Sequence, residues 1–218
     1  MGPSATGNSG ETDQLLQRAA QGDHQGWGAL LERHRKRLRR MVALRLDRRL
    51  QGRIDASDVI QEACLEASAR LPEYLRQPAL PFFLWLRFLA GQKLLELHRR
   101  HLGAQMRDAG REVALYRGSL PGVSSAALAA QLLGRDTRPS EAAVRAERSL
   151  RLQDALNGMD PLDREMLVLR HFEQLSNAEA AQVLDIGESA ASKRYVRALQ
   201  RLKDILASLP GGLEEFLP

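Results

Sequence analysis

The sequence has few of the residues that stabilise disulfide-rich folds, β-sheets or membrane spans. It contains one cysteine, Cys64, which excludes an internal disulfide and is typical of a reducing cytosol. Aromatic residues make up 5% of the chain and β-branched runs are missing, which disfavours a β-sheet. No apolar run approaches the roughly 18 residues of a membrane-spanning helix, so we expect no membrane insertion. These absences indicate a cytoplasmic protein without extended sheets.

The sequence also lacks the signatures of common catalytic and metal sites. It has no phosphate-binding glycine-rich loop and no H-E-x-x-H motif. The five histidines are scattered, and none belongs to a cluster of cysteines or carboxylates with metal-site spacing. We therefore expect no enzyme activity, no catalytic residue, no metal and no cofactor.

Helix-forming residues dominate the composition and predict an all-α fold. Leu, Ala, Arg, Glu and Gln are abundant, and all of them favour α-helices. Lys and Arg outnumber Asp and Glu by 32 to 27, and the sequence pI is about 9.9. Such a pI is in the range expected of nucleic-acid-binding proteins, although the charge excess is modest.

Shifts in composition divide the chain into two small helical domains joined by a flexible linker. The first ten residues are small and polar, without the apolar core of a signal peptide, which predicts a disordered tail. The glycine-rich linker has room for a helical turn or two near Ala126–Leu133. The predicted order is a tail at 1–10, a helical domain at 11–107, the linker at 108–138, a second helical domain at 139–209 and a tail at 210–218.

Hydrophobic periodicity predicts four helices in the first domain. Their expected bounds are Thr12–Ala20, a long helix after Asp23, a helix from Asp55 to about Leu71–Pro72, and a helix from Phe82 to about His101. A loop punctuated by prolines, from Pro72 to Pro81, separates the last two helices.

Opposite charges are segregated onto neighbouring helices of this domain. The second helix carries nine arginines and lysines between positions 33 and 49, which indicates a solvated face or an anionic partner. The third opens with DASDVIQE, in which Asp55, Asp58 and Glu62 recur at three and four residues. Carboxylates here suit the helix dipole, and they also suit a docking ridge for a basic partner helix.

The fourth helix combines aromatic and basic residues. Its first turns contain Phe82, Phe83, Trp85 and Phe88, and its end is basic. Aromatic rings beside cations are what single-stranded nucleic acid requires, since rings stack on bases and cations bind phosphates. Aromatic rings also fill cores, and we expect that role for Trp85 and Phe88 at least.

The stretch from Leu175 to Leu206 predicts a helix-turn-helix. Ser176 and Glu179 fit a capping box. Asp185 tolerates the left-handed turn between the helices, and Gly187 suits the cap of the second, basic helix. Asp160 precedes a proline and is expected to cap the helix before this motif. Two short amphipathic helices also occur in ordinary cores, so DNA binding depends on the rest of the chain.

Together these segments resemble a bacterial RNA polymerase sigma factor of the extracytoplasmic-function (ECF) type. QGDHQGWGALLERHRKRLRR looks like the start of sigma region two, and DASDVIQEACLEA is similar to the family's D-A-x-D-x-x-Q-E stretch. FFLWLRFLAGQKLLELHRR resembles the F-x-x-W-L-x-x-I-A-x-N-x-x-x-D-x-x-R-R helix. DPLDREMLVLRHFEQLSNAEAAQVLDIGESAASKRYVRALQRLK resembles region four. The linker at 108–138 is too short to contain a three-helix middle domain, and the ECF architecture lacks that domain.

The resemblance implies a role for each surface in transcription initiation. The residues that would dock on the coiled coil of the polymerase beta-prime subunit are Asp55, Asp58, Gln61 and Glu62. The residues implied at the minus-ten element are Phe82, Phe83, Lys93, Arg99 and Arg100, beside the loop from Pro72 to Pro81. The residues implied at the minus-thirty-five element are Ala190, Ser192, Lys193, Arg194 and Arg197. The implied partners are core RNA polymerase, through its beta-prime and beta subunits, and promoter DNA in the bacterial nucleoid. The resemblance does not decide whether an anti-sigma factor also binds the chain.

Several positions depart from the family pattern. Gln92 and Glu96 replace the usual Asn and Asp, Gly91 weakens the fourth helix, and Ser192 replaces a frequent Lys. Two alternatives also stay open on the residues alone. One is a dimeric helix-turn-helix regulator with a ligand-sensing helical domain, and the other is an adaptor that binds only proteins.

Overall fold

The computed structural model describes residues 6–47, 49–50, 52–102, 120, 122–133 and 142–209. The secondary-structure elements in these ranges are all helices, which confirms the predicted all-α fold. The chain divides into two compact units, Met1–Pro121 and Gly122–Pro218. The predicted tail at 210–218 and the greater part of the predicted linker lie outside the described residues.

The first unit contains four helices. Their bounds are α1 Thr6–Ala20, α2 His24–Arg45, α3 Ala56–Arg76 and α4 Phe82–Leu102. The apolar faces of α2, α3 and α4 meet in a core whose fully buried side chains include Leu30, Leu38, Met41, Ile60, Leu86, Leu89 and Leu94. Gly22, between α1 and α2, has a φ of 84°, a left-handed conformation that glycine adopts without a Cβ clash.

The first helix begins earlier than predicted. The disordered-tail prediction for residues 1–10 was wrong for 6–10, because α1 already starts at Thr6. Gly7 and Gly10 are poor helix formers, yet α1 includes both, and the ion pair between Glu11 and Arg33 holds this part of the helix to α2. Residues 1–5 lie outside the described residues.

The third helix continues through Pro72, where its end was predicted. Pro72 removes one backbone donor, yet α3 runs one further turn. Tyr74 in that turn is buried, and its ring contacts Phe82 and Trp85 of α4. Aromatic packing thus offsets the cost of the proline, and only residues 77–81 remain as a loop.

Leu120 packs on α4 at Gly91. A Cβ built on Gly91 would lie 1.9 Å from Leu120 Cδ2 and 3.1 Å from Leu120 Cγ. Any larger residue would displace the end of the Leu120 side chain, so glycine admits this contact unchanged at an otherwise unfavourable helical position. Gly91 lowers the helix propensity of α4, and its missing side chain leaves the space that Leu120 occupies.

The second unit contains the remaining helices. Their bounds are α5 Ser125–Leu132, α6 Ala142–Asn157, α7 Pro161–Leu167, a π-helical stretch Val168–Phe172, α8 Asn177–Leu184 and α9 Glu188–Ser208. The Asp160 side chain accepts hydrogen bonds from the N–H groups of Leu162 and Asp163, as the Asp-Pro pair predicts. Leu152, Leu156, Met166 and Leu167 are fully buried in its core.

The stretch 108–138, expected to be a flexible linker, contains α5 where the sequence has room for a helical turn or two, near Ala126–Leu133. Ser124 caps this helix by accepting from the N–H of Ala127 at 3.1 Å. Leu128 and Ala129 are buried, and the Ser125 hydroxyl donates to Asn157 Oδ1 of α6 at 2.6 Å. Packing against α6 therefore makes α5 part of the second unit.

Candidate functional site

An acidic face lies along the first turns of α3. Asp58, Gln61 and Glu62 are exposed, and their spacing places them side by side. Asp55 lies just before them as the N-cap, where its carboxylate accepts from the N–H of Ser57 at 2.8 Å. That hydrogen bond lowers the pKa of Asp55, so the carboxylate is charged but already engaged. Three of the four predicted docking residues are therefore available on one surface.

Leu65 extends this acidic face by one turn. Its residue exposure is 66%. It follows Asp58 by seven residues and Glu62 by three, so the same periodicity that relates the carboxylates also predicts its position. We call Asp58, Gln61, Glu62 and Leu65 the α3 face. A large exposed leucine beside exposed carboxylates gives this face both an apolar and a charged feature.

Many cations of α2 are engaged within the unit. Arg33 pairs with Glu11 at 2.5 Å, and Arg35 pairs with Glu32 at 3.4 Å. The guanidinium of Arg37 lies 3.6 Å from the centroid of the Phe83 ring, a cation–π arrangement. These side chains need no anionic partner to balance them, in contrast to one interpretation of the basic run.

The aromatic residues at the start of α4 form a core cluster. Phe82 and Phe83 are only 5% and 4% exposed. The Phe82 ring centroid lies 5.9 Å from that of Trp27 and 5.8 Å from that of Tyr74. The prediction that Phe82 and Phe83 contact minus-ten DNA therefore needs correction, since neither ring is available to a base without leaving the core.

Trp85 is the more accessible ring of this cluster. The sequence interpretation assigned Trp85 and Phe88 to the core, yet both are only half-buried. Trp85 stacks on Tyr74 with ring centroids 4.4 Å apart and an interplanar angle of 23°. The Tyr74 hydroxyl donates to the carbonyl of Leu80 at 3.0 Å, which ties the 77–81 loop to the same rings. The loop and Trp85 thus form one surface.

The basic residues later in α4 differ in availability. Lys93 pairs with Glu66 of α3 at 2.7 Å, and this contact raises the pKa of Lys93. Arg100 pairs with Glu96 at 2.8 Å. Arg99 is exposed and forms no ion pair within the described parts of the chain. Of the three predicted phosphate ligands, Arg99 is the one that needs no rearrangement.

The helix-turn-helix has the local geometry that its sequence predicts. Both hydrogen bonds of the capping box form: Ser176 Oγ accepts from the N–H of Glu179 at 3.1 Å, and Glu179 Oε2 accepts from the N–H of Ser176 at 2.7 Å. Asp185 adopts the left-handed conformation at φ 55° and ψ 48°. Gly187 is the N-cap of α9. The turn therefore presents α9 as the second helix of the motif.

Four of the five predicted DNA-binding residues of α9 are exposed. They are Ala190, Ser192, Lys193 and Arg197. Arg194 differs, because its guanidinium pairs with Asp160 at 3.0 Å and with Asp163 at 2.5 Å. Its side chain is 21% exposed. The prediction that Arg194 faces DNA needs correction, since this residue links α9 to the start of α7.

The described residues contain neither a metal-binding cluster nor a membrane-spanning helix. No group of three or more His, Cys, Asp or Glu residues among them is arranged to hold a metal ion. No helix in the described ranges has both the length and the apolar character needed to cross a membrane.

Comparison with known proteins gives matches in both sequence and fold. The family model for Sigma-70, region 4 matches residues 149–202. The ECF RNA polymerase sigma factor SigD of Mycobacterium tuberculosis is 31% identical over 202 residues, which cover 93% of this chain and 87% of SigD. The ECF RNA polymerase sigma factor ShbA of Streptomyces griseus is 30% identical over 197 residues, which cover 87% of this chain and 92% of ShbA.

A solved structure shares the fold. It is CnrH in complex with the cytosolic domain of CnrY, with a TM-score of 0.50 and 24% sequence identity. The match covers 90% of this chain and 97% of CnrH. This likeness supports the all-α arrangement described above.

Proposed function

The chain belongs to the ECF family of RNA polymerase sigma factors, and from this premise we propose which of its surfaces bind polymerase and promoter. Members of this family recognise promoters and initiate transcription with core RNA polymerase. The protein is accordingly a promoter-recognising initiation factor whose partners are core RNA polymerase and promoter DNA. We further propose that it catalyses no reaction of its own and acts in the cytoplasm beside the polymerase.

The α3 face is the proposed docking surface for the beta-prime coiled coil. Asp58 and Glu62 provide negative charge for a basic partner helix, and Leu65 provides an apolar contact at the end of the face. Asp55 acts mainly as the helix cap in this proposal, because Ser57 already occupies its carboxylate. The observation that carries the proposal is the exposure of a large leucine within a one-sided acidic surface.

Promoter binding is divided between the two units in this proposal. In the second unit, Ala190, Ser192, Lys193 and Arg197 face the major groove of the minus-thirty-five element. In the first unit, Trp85 and the 77–81 loop receive an unpaired base of the minus-ten element, and Arg99 binds a nearby phosphate. Lys93 and Arg100 join that site only if their ion pairs with Glu66 and Glu96 open.

We also propose that an anti-sigma factor regulates the chain. The support is the solved structure of CnrH, a protein of the same fold, which is bound to the cytosolic domain of CnrY. A partner of this kind would compete with polymerase or promoter for the surfaces described above.

Charge reversal on the α3 face tests the docking proposal. Asp58→Arg and Glu62→Arg should each abolish co-elution with core polymerase, because reversing a charge at a docking face costs several kcal/mol. Leu65→Ser should weaken co-elution without changing any charge. Asp13→Arg is the matched control, because Asp13 is exposed and lies on α1, outside the α3 face. This variant should co-elute like the natural chain. Helical circular dichroism checks that each variant folds, and co-elution of both arginine variants would show that docking occurs elsewhere.

A further inference from the structure

The outward side of α9 carries one continuous stripe of side chains. Ser189, Lys193, Val196 and Gln200 follow one another at intervals of four, three and four residues, and all four are exposed. This spacing places them on a single face of the helix. The stripe overlaps the predicted minus-thirty-five residues only at Lys193.

Contacts on the opposite side of α9 set which residues point outward. Ala191 and Ala198 are buried against the unit. Arg194 pairs with Asp163, and the Tyr195 hydroxyl lies 3.0 Å from His171 Nε2. These anchors extend over two turns of the helix, so the stripe cannot turn toward the core without breaking them.

Val196 is the apolar residue in this stripe. Its exposure is 64%, and it lies one turn beyond Ser192 and Lys193 and directly before Arg197. A β-branched residue is unfavourable in an exposed helix, since it gains no packing and loses side-chain freedom. The isopropyl group of Val196 lies among cationic and polar side chains. It is therefore suited to contact water in the free protein and an apolar group in a complex.

We propose that Val196 reads a thymine of the minus-thirty-five element through the 5-methyl group of that base. This inference rests on the proposed function of α9 as the major-groove helix. The thymine methyl is the apolar feature in the major-groove pattern of B-DNA, and small apolar side chains recognise it by contact. Lys193 and Arg197 beside it hold the DNA by charge and carry little sequence information of their own when they bind phosphates.

Replacing thymine by uracil isolates the methyl group. A minus-thirty-five element is first selected from a random promoter library by core polymerase carrying the natural chain. Each thymine in that element is then changed singly to deoxyuridine, and promoter binding is measured for the natural chain and for Val196→Ala. Leu150→Ala is the matched control, since Leu150 is 62% exposed on α6 and lies outside α9.

One thymine should behave differently from the others. Removing its methyl should weaken binding of the natural chain about fourfold, the factor expected for one buried methyl group. Val196→Ala should bind that promoter about as weakly and respond to uracil no further, whereas Leu150→Ala should keep the full response.

Three results would overturn the inference while leaving the proposed function intact. They are a selected element without thymine, a uracil response that is the same in the natural chain and Val196→Ala, and a loss of core binding by Val196→Ala. If no promoter is selected at all, the proposed function itself fails.

Discussion

At the scale of single residues, Arg194 and Arg197 are three positions apart on α9 but have different surroundings. Arg194 is bound by two aspartates of the α7 start, whereas Arg197 is exposed. The resemblance to ECF sigma factors implied both residues at the minus-thirty-five element. In the structure Arg194 has carboxylate partners and Arg197 is exposed, a difference that their spacing in the sequence does not reveal.

Arg194→Ala should lower stability and leave the salt dependence of DNA binding unchanged. Losing the contacts to Asp160 and Asp163 should reduce the free energy of unfolding by about 1–3 kcal/mol. Arg197→Ala should do the opposite: unfolding is unaffected, and the slope of log affinity against log salt decreases by about 1. Urea unfolding and salt titrations of duplex binding measure both quantities. A lower salt slope for Arg194→Ala would restore this residue to the DNA interface.

His34 is a second residue whose surroundings have a measurable consequence. It is 4% exposed, lies against Phe82 and Phe83, and its Nε2 has no hydrogen-bond partner among the described residues. Burial, together with the charges of Arg37 and Arg33, lowers the pKa of His34 from 6.5 to about 4. Between these two pH values the His34 imidazole is therefore neutral in the folded protein and protonated in the unfolded chain.

The protein should lose stability between pH 6.5 and 4 because of His34. In this window the unfolded chain binds a proton that the folded chain excludes, so the free energy of unfolding falls by up to about 3 kcal/mol as pH decreases. His34→Leu should flatten this part of the stability profile, which urea unfolding at a series of pH values records. His98, whose pKa burial also lowers, remains in both proteins as an internal reference. Parallel profiles for the two proteins would contradict the assignment.

At the scale of helices, the contact between Gly91 and Leu120 predicts non-additive substitutions. Gly91→Ala alone gains helix propensity but displaces Leu120, so it should fail to stabilise the protein. In a Leu120→Ala background the obstacle is gone, and Gly91→Ala should raise the free energy of unfolding by about 0.5–1 kcal/mol. The double-mutant cycle should show a coupling of about 1 kcal/mol, and additive effects would mean that Leu120 does not rest on α4.

Local signals were sufficient to predict where several helices begin. Asp55, Asp160 and the Ser176–Glu179 box cap their helices as expected, because each cap is formed by side chains within three residues of the backbone that they bind. Asp185 likewise occupies the left-handed turn. Such features need no knowledge of the rest of the fold.

Features that depend on distant packing were not predictable from local pattern. The end of α3 was placed at Pro72, because the contact of Tyr74 with Phe82 is invisible in a local pattern. Trp85 was expected in the core and Phe82 beside minus-ten DNA, whereas Phe82 is buried and Trp85 is half-buried, since an aromatic-rich turn does not show which ring faces α2 and α3. The acidic face was found by its spacing, but the exposure of Leu65 beside it was not predicted, because a local pattern does not show which apolar side chains the other helices cover.

At the scale of the whole molecule, the two units provide different surfaces. The first unit has the acidic α3 face and the loop beside Trp85, and the second has the capped helix-turn-helix. A DNA-binding regulator has no need of a polymerase-docking surface, whereas a sigma factor needs one, and we propose the α3 face for that role. In this proposal polymerase docking and promoter recognition are divided between separate surfaces of one chain.

Run-off transcription with core polymerase and a promoter library tests this division most directly. Core enzyme with the natural chain should produce discrete transcripts from a subset of promoters, and core enzyme alone or with Glu62→Arg should produce none of them. The Asp13→Arg control should produce the same transcripts as the natural chain. Sequence-specific promoter binding by the chain alone, with no transcripts when core enzyme is present, would contradict the account and indicate a helix-turn-helix regulator instead.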